Sequence, residues 1–203
     1  MHLWEADAWA TTIRERAGVD ADEVVKPSEL ARGLGVELYQ ARGLRLPGDA
    51  ALAFWGGKPR IALRSGLSVE RARFAVFHEL AEYALAGHVD ATIEDACNAI
   101  AAALAMPRRA FLRAIRDLGE DPHALAHAFR VTPTAAALRL GETTQIPLAA
   151  LTPSWMWIRG RAITWPPEPE IRRIARGGRP GIRKLGLEPR RVALIVEELD
   201  EAI

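Results

Sequence analysis

An α+β fold is what this sequence predicts, and three observations carry the prediction. A turn-rich stretch with strand-like alternation precedes residue 66, helical periodicity runs from Ser68 to about residue 140, and a Pro- and Trp-rich stretch follows Gly141. At 203 residues, with 49% hydrophobic and 26% charged side chains, the chain is ordinary for a soluble globular protein. That length suits one compact domain with a smaller module beside it.

Leu3, Ala6, Ala10, Ile13 and Ala17 recur at three- and four-residue spacing, which predicts a first helix. Ser28 is the expected N-cap of a short second helix that ends at Gly33 and Gly35. Val36-Glu37-Leu38-Tyr39 alternates like a strand. Leu52–Trp55 and Pro59–Leu63, separated by Gly56-Gly57-Lys58, read as a hairpin, so a small antiparallel sheet is expected before residue 66. From Ser68, the residues Phe74, Phe77, Leu80, Ala81 and Ala84 form an apolar helical stripe that ends before Gly87. An Ala-rich helix from about Ala91 to Met106 stops at Pro107, and its small side chains suit close packing against another helix. Shorter helices are expected near 108–118, 122–129 and 133–140. Trp155–Ile158 and Ala162–Trp165 then read as a second hairpin turning at Arg159-Gly160-Arg161. A boundary near 141–152 divides the expected domains into 1–141 and a Trp-containing, basic α+β module over 142–203.

Charge excludes some functions and localises others. The net +1 gives no general attraction to nucleic acid or anionic membrane. Eight basic residues and one acid fall within 171–191, usually a solvated surface and otherwise a contact for nucleic acid or an acidic protein face. No apolar run approaches the roughly 18–20 residues of a membrane span, and the N-terminus lacks a basic leader followed by an apolar run. The single Cys97 closes no intramolecular disulfide. A cytoplasmic protein is the expectation.

The chemistry-bearing segment is His78-Glu79-Leu80-Ala81-Glu82. On a helix, residues 78 and 82 lie one turn apart on one face with Glu79 beside them. This is the spacing of HExxH with Glu in place of the second His. In that motif the i, i+4 pair holds a divalent metal and the intervening Glu takes a proton from the attacking water. A third ligand must come from elsewhere, and the next helix opens with Glu94-Asp95-Ala96-Cys97-Asn98. The bland alternative for His78 and Glu82 is a helix-surface pair worth about 0.2–0.5 kcal/mol. If Glu79, Glu82 and Glu94 do converge, their repulsion calls for a metal, a proton or a cation such as Arg71 or Arg73 among them.

Arg73-Phe74 leading into His78-Glu79, then Glu94, Asn98, the Ala-rich helix and Leu104-Ala105-Met106-Pro107, resembles the ImmA/IrrE family of zinc-dependent peptidases over residues 25–140. The resemblance implies a zincin-like core, with His78 and Glu94 as metal ligands and Glu79 as general base. Glu82 stands where the family has its second His. Family members cut or inactivate helix-turn-helix repressors, so it also implies a protein partner of that kind and a substrate strand along the edge of the Leu52–Leu63 hairpin. One neutral His and two carboxylates cancel the charge of a divalent ion and leave a weak Lewis acid. Slow hydrolysis with zinc, use of manganese instead, or a binding protein without catalysis are the resulting alternatives.

Other candidates are weaker. His88 falls where HExxHxxGxxH has its third His, but the Gly of that pattern is absent. His123 and His127 form an i, i+4 pair, most often exposed or capping; with Tyr83 and His88 they are candidate oxyanion helpers. Cys97 reads as a buried replacement for Ala rather than a nucleophile. The 121–140 segment resembles a helix-turn-helix, yet Ala135-Ala136-Ala137-Leu138 cannot read bases and fits core packing. The Trp155, Trp157 and Trp165 cluster reads as the core of the C-terminal module, with a partner-binding face as the alternative.

Overall fold

Leu3–Arg16 forms α1, which buries Ala6, Ala10 and Ile13 at the expected spacing. This computed structural model describes residues 3–43, 45–86, 93–154, 156–160, 165–179 and 181–196. Arg14, also buried, donates to the carbonyls of Asp20 and Glu23 at 2.9 Å and of Leu104 at 2.6 Å. It thereby satisfies backbone acceptors that burial would otherwise orphan. The second helix, α2 (Pro27–Gly33), begins two residues earlier than a Ser28 cap would place it, with Lys26 at the N-cap position. Pro27 supplies a preset φ at the first helical position, and Glu29 reaches back to accept from the Lys26 N–H at 3.1 Å. Gly33 is required by proximity, since a Cβ there would lie 2.1 Å from the Ala17 carbonyl oxygen.

The first sheet holds β1 (Glu37–Ala41), β2 (Ala50–Trp55) and β3 (Lys58–Arg64) in the order β1-β3-β2. The β2–β3 hairpin turns at Gly56 and Gly57, whose φ values of 59° and 76° match a type I′ turn. The sheet is mixed, which corrects the antiparallel expectation: β1 runs parallel to β3, with Leu38 opposite Ile61. The reason is the segment 42–49, which is long enough to carry the chain past β3 before it turns back. β3 is therefore central and β2 an edge strand. Asp49 anchors this segment by pairing with Arg64 and, at 2.7 Å, with Arg71.

Helix α3 (Val69–Leu85) starts where Ser68 Oγ accepts from the Arg71 N–H. It buries Phe77, Leu80, Ala81 and Ala84 against the sheet and α4 (Ile93–Ala105). The small side chains of Ala96, Cys97 and Ala101, with Ile100 and Leu104, fill the other side of that contact. Two further helices follow, α5 (Arg108–Leu118) and α6 (Pro122–Phe129).

The chain divides into two compact units: one through Arg113 together with Phe129–Val131, the other Ala114–Ala128 with the residues from Thr132 onward. This division differs from the boundary predicted near 141. Its cause is α7 (Pro133–Thr144), which packs on the C-terminal sheet of the second unit. Thr134 faces Arg191 at 3.5 Å, and buried Glu142 accepts from Arg159 Nε at 2.9 Å. Ala136, Ala137 and Leu140 are buried, as core packing requires.

In the second unit, β4 (Leu148–Leu151), β5 (Met156–Arg159), β6 (Ile182–Glu188) and β7 (Arg191–Val196) form an antiparallel sheet in the order β5-β4-β7-β6. The partner of β5 is thus β4, with Ala150 opposite Trp157. Of the expected hairpin, Trp155 and residues 161–164 lie outside the described residues. Helix α8 (Glu168–Gly177) sets Ile171 and Ile174 against Ala149, Leu151 and Leu194, with Trp165 packed on the same core. The 171–191 stretch therefore covers most of α8 and all of β6. Several of its charges are paired: Arg172 with Glu168 at 2.6 Å, Arg173 with Glu170 at 3.2 Å and Arg183 with Glu120 at 3.3 Å.

Candidate metal centre

The site lies in the first unit, between α3 and α4. The 3.6-residue period sets His78 and Glu82 one turn apart on α3, and it sets Glu94 and Asn98 one turn apart on α4. One ligand atom from each of His78, Glu79 and Glu82 lies within 4.8 Å of the others. From α4, Glu94 Oε2 stands 3.5 Å from His78 Nε2. Glu94 reaches the cluster through His78 and is not among the three groups that are mutually within 4.8 Å. Two atoms each about 2.1 Å from one tetrahedral ion are roughly 3.4 Å apart, so the His78–Glu94 spacing suits two ligands of one cation.

Asn98 completes the histidine's setting. Its Oδ1 lies 3.1 Å from His78 Nδ1. With the proton on Nδ1 and donated to Asn98, the Nε2 lone pair faces Glu94 and is free for a metal. Sequence reasoning used Asn98 only as part of a resemblance; the signal that identifies its role is the i, i+4 spacing from Glu94.

Glu79 is buried, 8% exposed, whereas Glu82 and Glu94 are open to solvent. Burial pushes the Glu79 carboxyl above the usual carboxylate range. The Leu52 N–H, donated to Glu79 Oε2 at 2.7 Å, pulls it back in part; Glu82 adds to the rise and His78 opposes it. Leu52 lies on the edge strand β2, so the carboxylate beside the ligands is tied to the strand that offers its backbone outward. This link joins residues 27 apart in sequence and had no sequence signal beyond the proximity of hairpin and helix.

Neither Arg71 nor Arg73, the two cations considered as counter-charge, stands among these carboxylates. Arg71 is engaged by Asp49 at the start of α3, and Arg73 stands over the Phe77 ring at 4.9 Å. Burial, and then the charges of Arg14 and Arg130, lower the Arg73 pKa to about 10. Cys97 is fully buried, and burial followed by the charges of Glu82, Glu94 and Glu79 pushes its thiol up to about 12. It is neutral and inert at ordinary pH, as a packing role requires.

The remaining candidates are not members of the ligand cluster, although Tyr83 follows Glu82 on α3. The Tyr83 ring meets Phe54 with centroids 6.3 Å apart. His88 lies outside the described residues. His123 and His127 belong to the second unit, where His123 Nε2 is 2.6 Å from the Gly186 carbonyl oxygen and His127 is exposed. Among the described residues, His78, Glu79 and Glu82 form the one group of three or more such side chains placed to hold a metal.

Comparison with known proteins adds three findings. The family model described as the IrrE N-terminal-like domain, a peptidase family, matches residues 35–141, which span the first sheet, α3, α4 and the helices that follow. Comparison with curated proteins finds no match. Among solved structures, the chain is similar to a Mycobacterium tuberculosis transcriptional regulator, with 16% identity and a TM-score of 0.66 over 95% of this chain and 76% of that one. At that identity the likeness is one of fold.

Proposed function

We propose, from the premise that this chain belongs to the family of IrrE N-terminal-like domains, that its first unit is a metal-dependent endopeptidase acting on a protein partner. On the family's example that partner is a helix-turn-helix transcriptional repressor. The observation that carries the reading is the convergence of His78, Glu79 and Glu82 within 4.8 Å, with Glu94 at 3.5 Å from His78. The donor set fits a divalent cation: an imidazole whose outer nitrogen is engaged by Asn98, and carboxylates beside it.

His78, Glu82 and Glu94 would hold the ion, zinc or, given two carboxylates, manganese. A bound cation supplies Lewis acidity, polarising a peptide carbonyl and acidifying a water. Glu79 then does the proton work. Before a substrate pairs with β2 its Oε2 accepts from the Leu52 N–H, and the carboxylate takes the proton of the attacking water. Burial raises its basicity, and the same group returns the proton to the leaving nitrogen. The free edge of β2 gives an extended substrate its backbone partners.

A second reading follows from Glu82. With a second carboxylate in place of imidazole the site is neutral when loaded, and the same scaffold serves as a catalytically inactive binding or sensing module. Elemental analysis of the full chain beside His78→Ala and Glu94→Ala tests the metal: about one zinc or manganese per chain, lost in both variants, is the expected result. Metal content unchanged in either variant overturns this ligand set. Glu79→Gln separates the readings, because it abolishes cleavage under the first and leaves partner binding intact under the second.

A further inference from the structure

We infer that Phe54 and Tyr83 form a subsite beside the metal centre for a large apolar side chain of the bound polypeptide, and so set its sequence preference. This rests on the peptidase reading and extends it to the substrate's chemistry.

Successive residues of a strand turn their N–H and C=O groups to opposite edges. Since the Leu52 N–H is donated to Glu79 rather than to β3, Ala50, Leu52 and Phe54 are the residues of β2 whose backbone faces the free edge. Their side chains share one face of the sheet. That is the α3 face, because the Phe54 ring meets Tyr83 of α3 at 6.3 Å with planes inclined by 48°. Along it, exposure rises from buried Ala50 through half-buried Leu52 to Phe54, which is 62% exposed.

Phe54 offers apolar surface at the open edge of β2, where strand pairing can give it a partner. A polypeptide segment pairing with the outer edge of β2 places one residue directly opposite Phe54, with its side chain on the same face about 4.5–5.5 Å away. There it meets the Phe54 ring, with the Tyr83 ring behind. A Phe, Tyr, Leu or Met at that position buries both rings; a small or charged residue leaves them wet. Leu52, two residues back and roughly 6.7 Å along the strand, carries the N–H that touches the general base. The preferred side chain therefore sits at a fixed place within about two residues of the bond presented to Glu79.

The test uses the full chain carrying Glu79→Gln, so that nothing is turned over, immobilised with and without zinc. A degenerate library of N-acetylated, C-amidated nonapeptides is passed over it, and the retained peptides are sequenced. The expected result is enrichment of Phe, Tyr, Leu and Met at one position, about fivefold over the library. Phe54→Ser should return that position to the library's composition, whereas Phe54→Leu, which keeps an apolar surface, should retain most of the preference. Because Phe54 is exposed, Phe54→Ser should leave far-UV circular dichroism and metal content unchanged, which separates recognition from folding. Enrichment of small or charged residues, a preference that survives Phe54→Ser, or no retention by the zinc-loaded chain would each overturn the inference. Metal content of the same preparation reports separately on the peptidase reading: a chain without metal that still shows the Phe54-dependent preference supports the subsite and counts against the metal centre.

Discussion

Asn98→Ala is the substitution that probes the site through its least conspicuous member. The Asn98 side chain is half-buried on α4 and holds His78 Nδ1 at 3.1 Å. Its loss frees the imidazole to exchange tautomers and to tilt, so that part of the population presents a protonated Nε2 that cannot bind a metal. A single neutral hydrogen bond contributes about 0.5–1.5 kcal/mol net. Removing the outer partner of a metal-bound histidine typically lowers affinity about 10- to 100-fold, or about 1.4–2.7 kcal/mol. The two ranges meet near tenfold, which is the expected loss of zinc affinity. Asn98→Asp keeps the shape and makes the bond charge-assisted, roughly doubling its strength, so it should bind zinc at least as tightly as the native chain.

The assay is competition for zinc against a chromophoric chelator at fixed pH, with circular dichroism to confirm that each variant is folded. Affinity of Asn98→Ala within twofold of the native value, or equal affinities for Ala and Asp at this position, would refute the assignment of Nε2 as the metal-facing nitrogen.

Glu82→His should turn the loaded site from neutral to singly positive and raise the preference for zinc over manganese by about tenfold, read by elemental analysis after incubation with equal amounts of both; an unchanged ratio would mean that Glu82 is not a ligand. Glu79 gives a pH prediction for the metal-free protein. Its carboxyl titrates higher folded than unfolded, so the stability it contributes is full below the unfolded pKa and lost as pH rises through the folded one. Glu79→Gln should therefore be no less stable than the native chain at neutral pH, and its relative advantage should shrink on acidification; urea titrations at two pH values check the sign. Cys97, buried with its thiol pushed up to about 12, should resist iodoacetamide at pH 8 in the native chain and react fully in denaturant, as mass spectrometry would show.

The parts of the fold that the sequence shows are those whose pattern is local. The Phe77, Leu80, Ala81 and Ala84 stripe announces α3 because a single helix face is buried, and the Gly56-Gly57 turn announces the β2–β3 hairpin because few residue pairs tolerate two positive φ values. The second sheet is harder to see. β4 reads Leu-Ala-Ala-Leu, buried at all four positions, so it has neither the alternation of a half-exposed strand nor β-branched side chains. In β6, adjacent Arg183 and Lys184 and an internal Gly186 disguise the strand as a charged surface segment. The division into units differs from the expected boundary for a related reason. The small side chains of α7 fit a core, but nothing in the sequence says that the core is the one under β4 and β7.

The site divides along the same line. His78, Glu79 and Glu82 are legible because helical spacing alone brings them together, and Glu94 and Asn98 follow once a second helix packs beside the first. The Leu52–Glu79 bond is of another kind, since it exists only because β1 pairs parallel with β3 and thereby leaves β2 at the edge. Had the sheet been a simple antiparallel meander in sequence order, β2 would lie in the middle with its N–H groups consumed on both sides. The order β1-β3-β2 instead sets an outward-facing donor against the Glu79 carboxylate. A polypeptide that pairs with β2 at Leu52 must offer its own carbonyl to that donor, and in doing so it competes with Glu79 Oε2. On the peptidase reading, binding and proton transfer are thus coupled through one backbone N–H. Loss of that bond lets the Glu79 carboxyl rise further in basicity when the edge is filled, since the Leu52 N–H is the strongest influence holding it down.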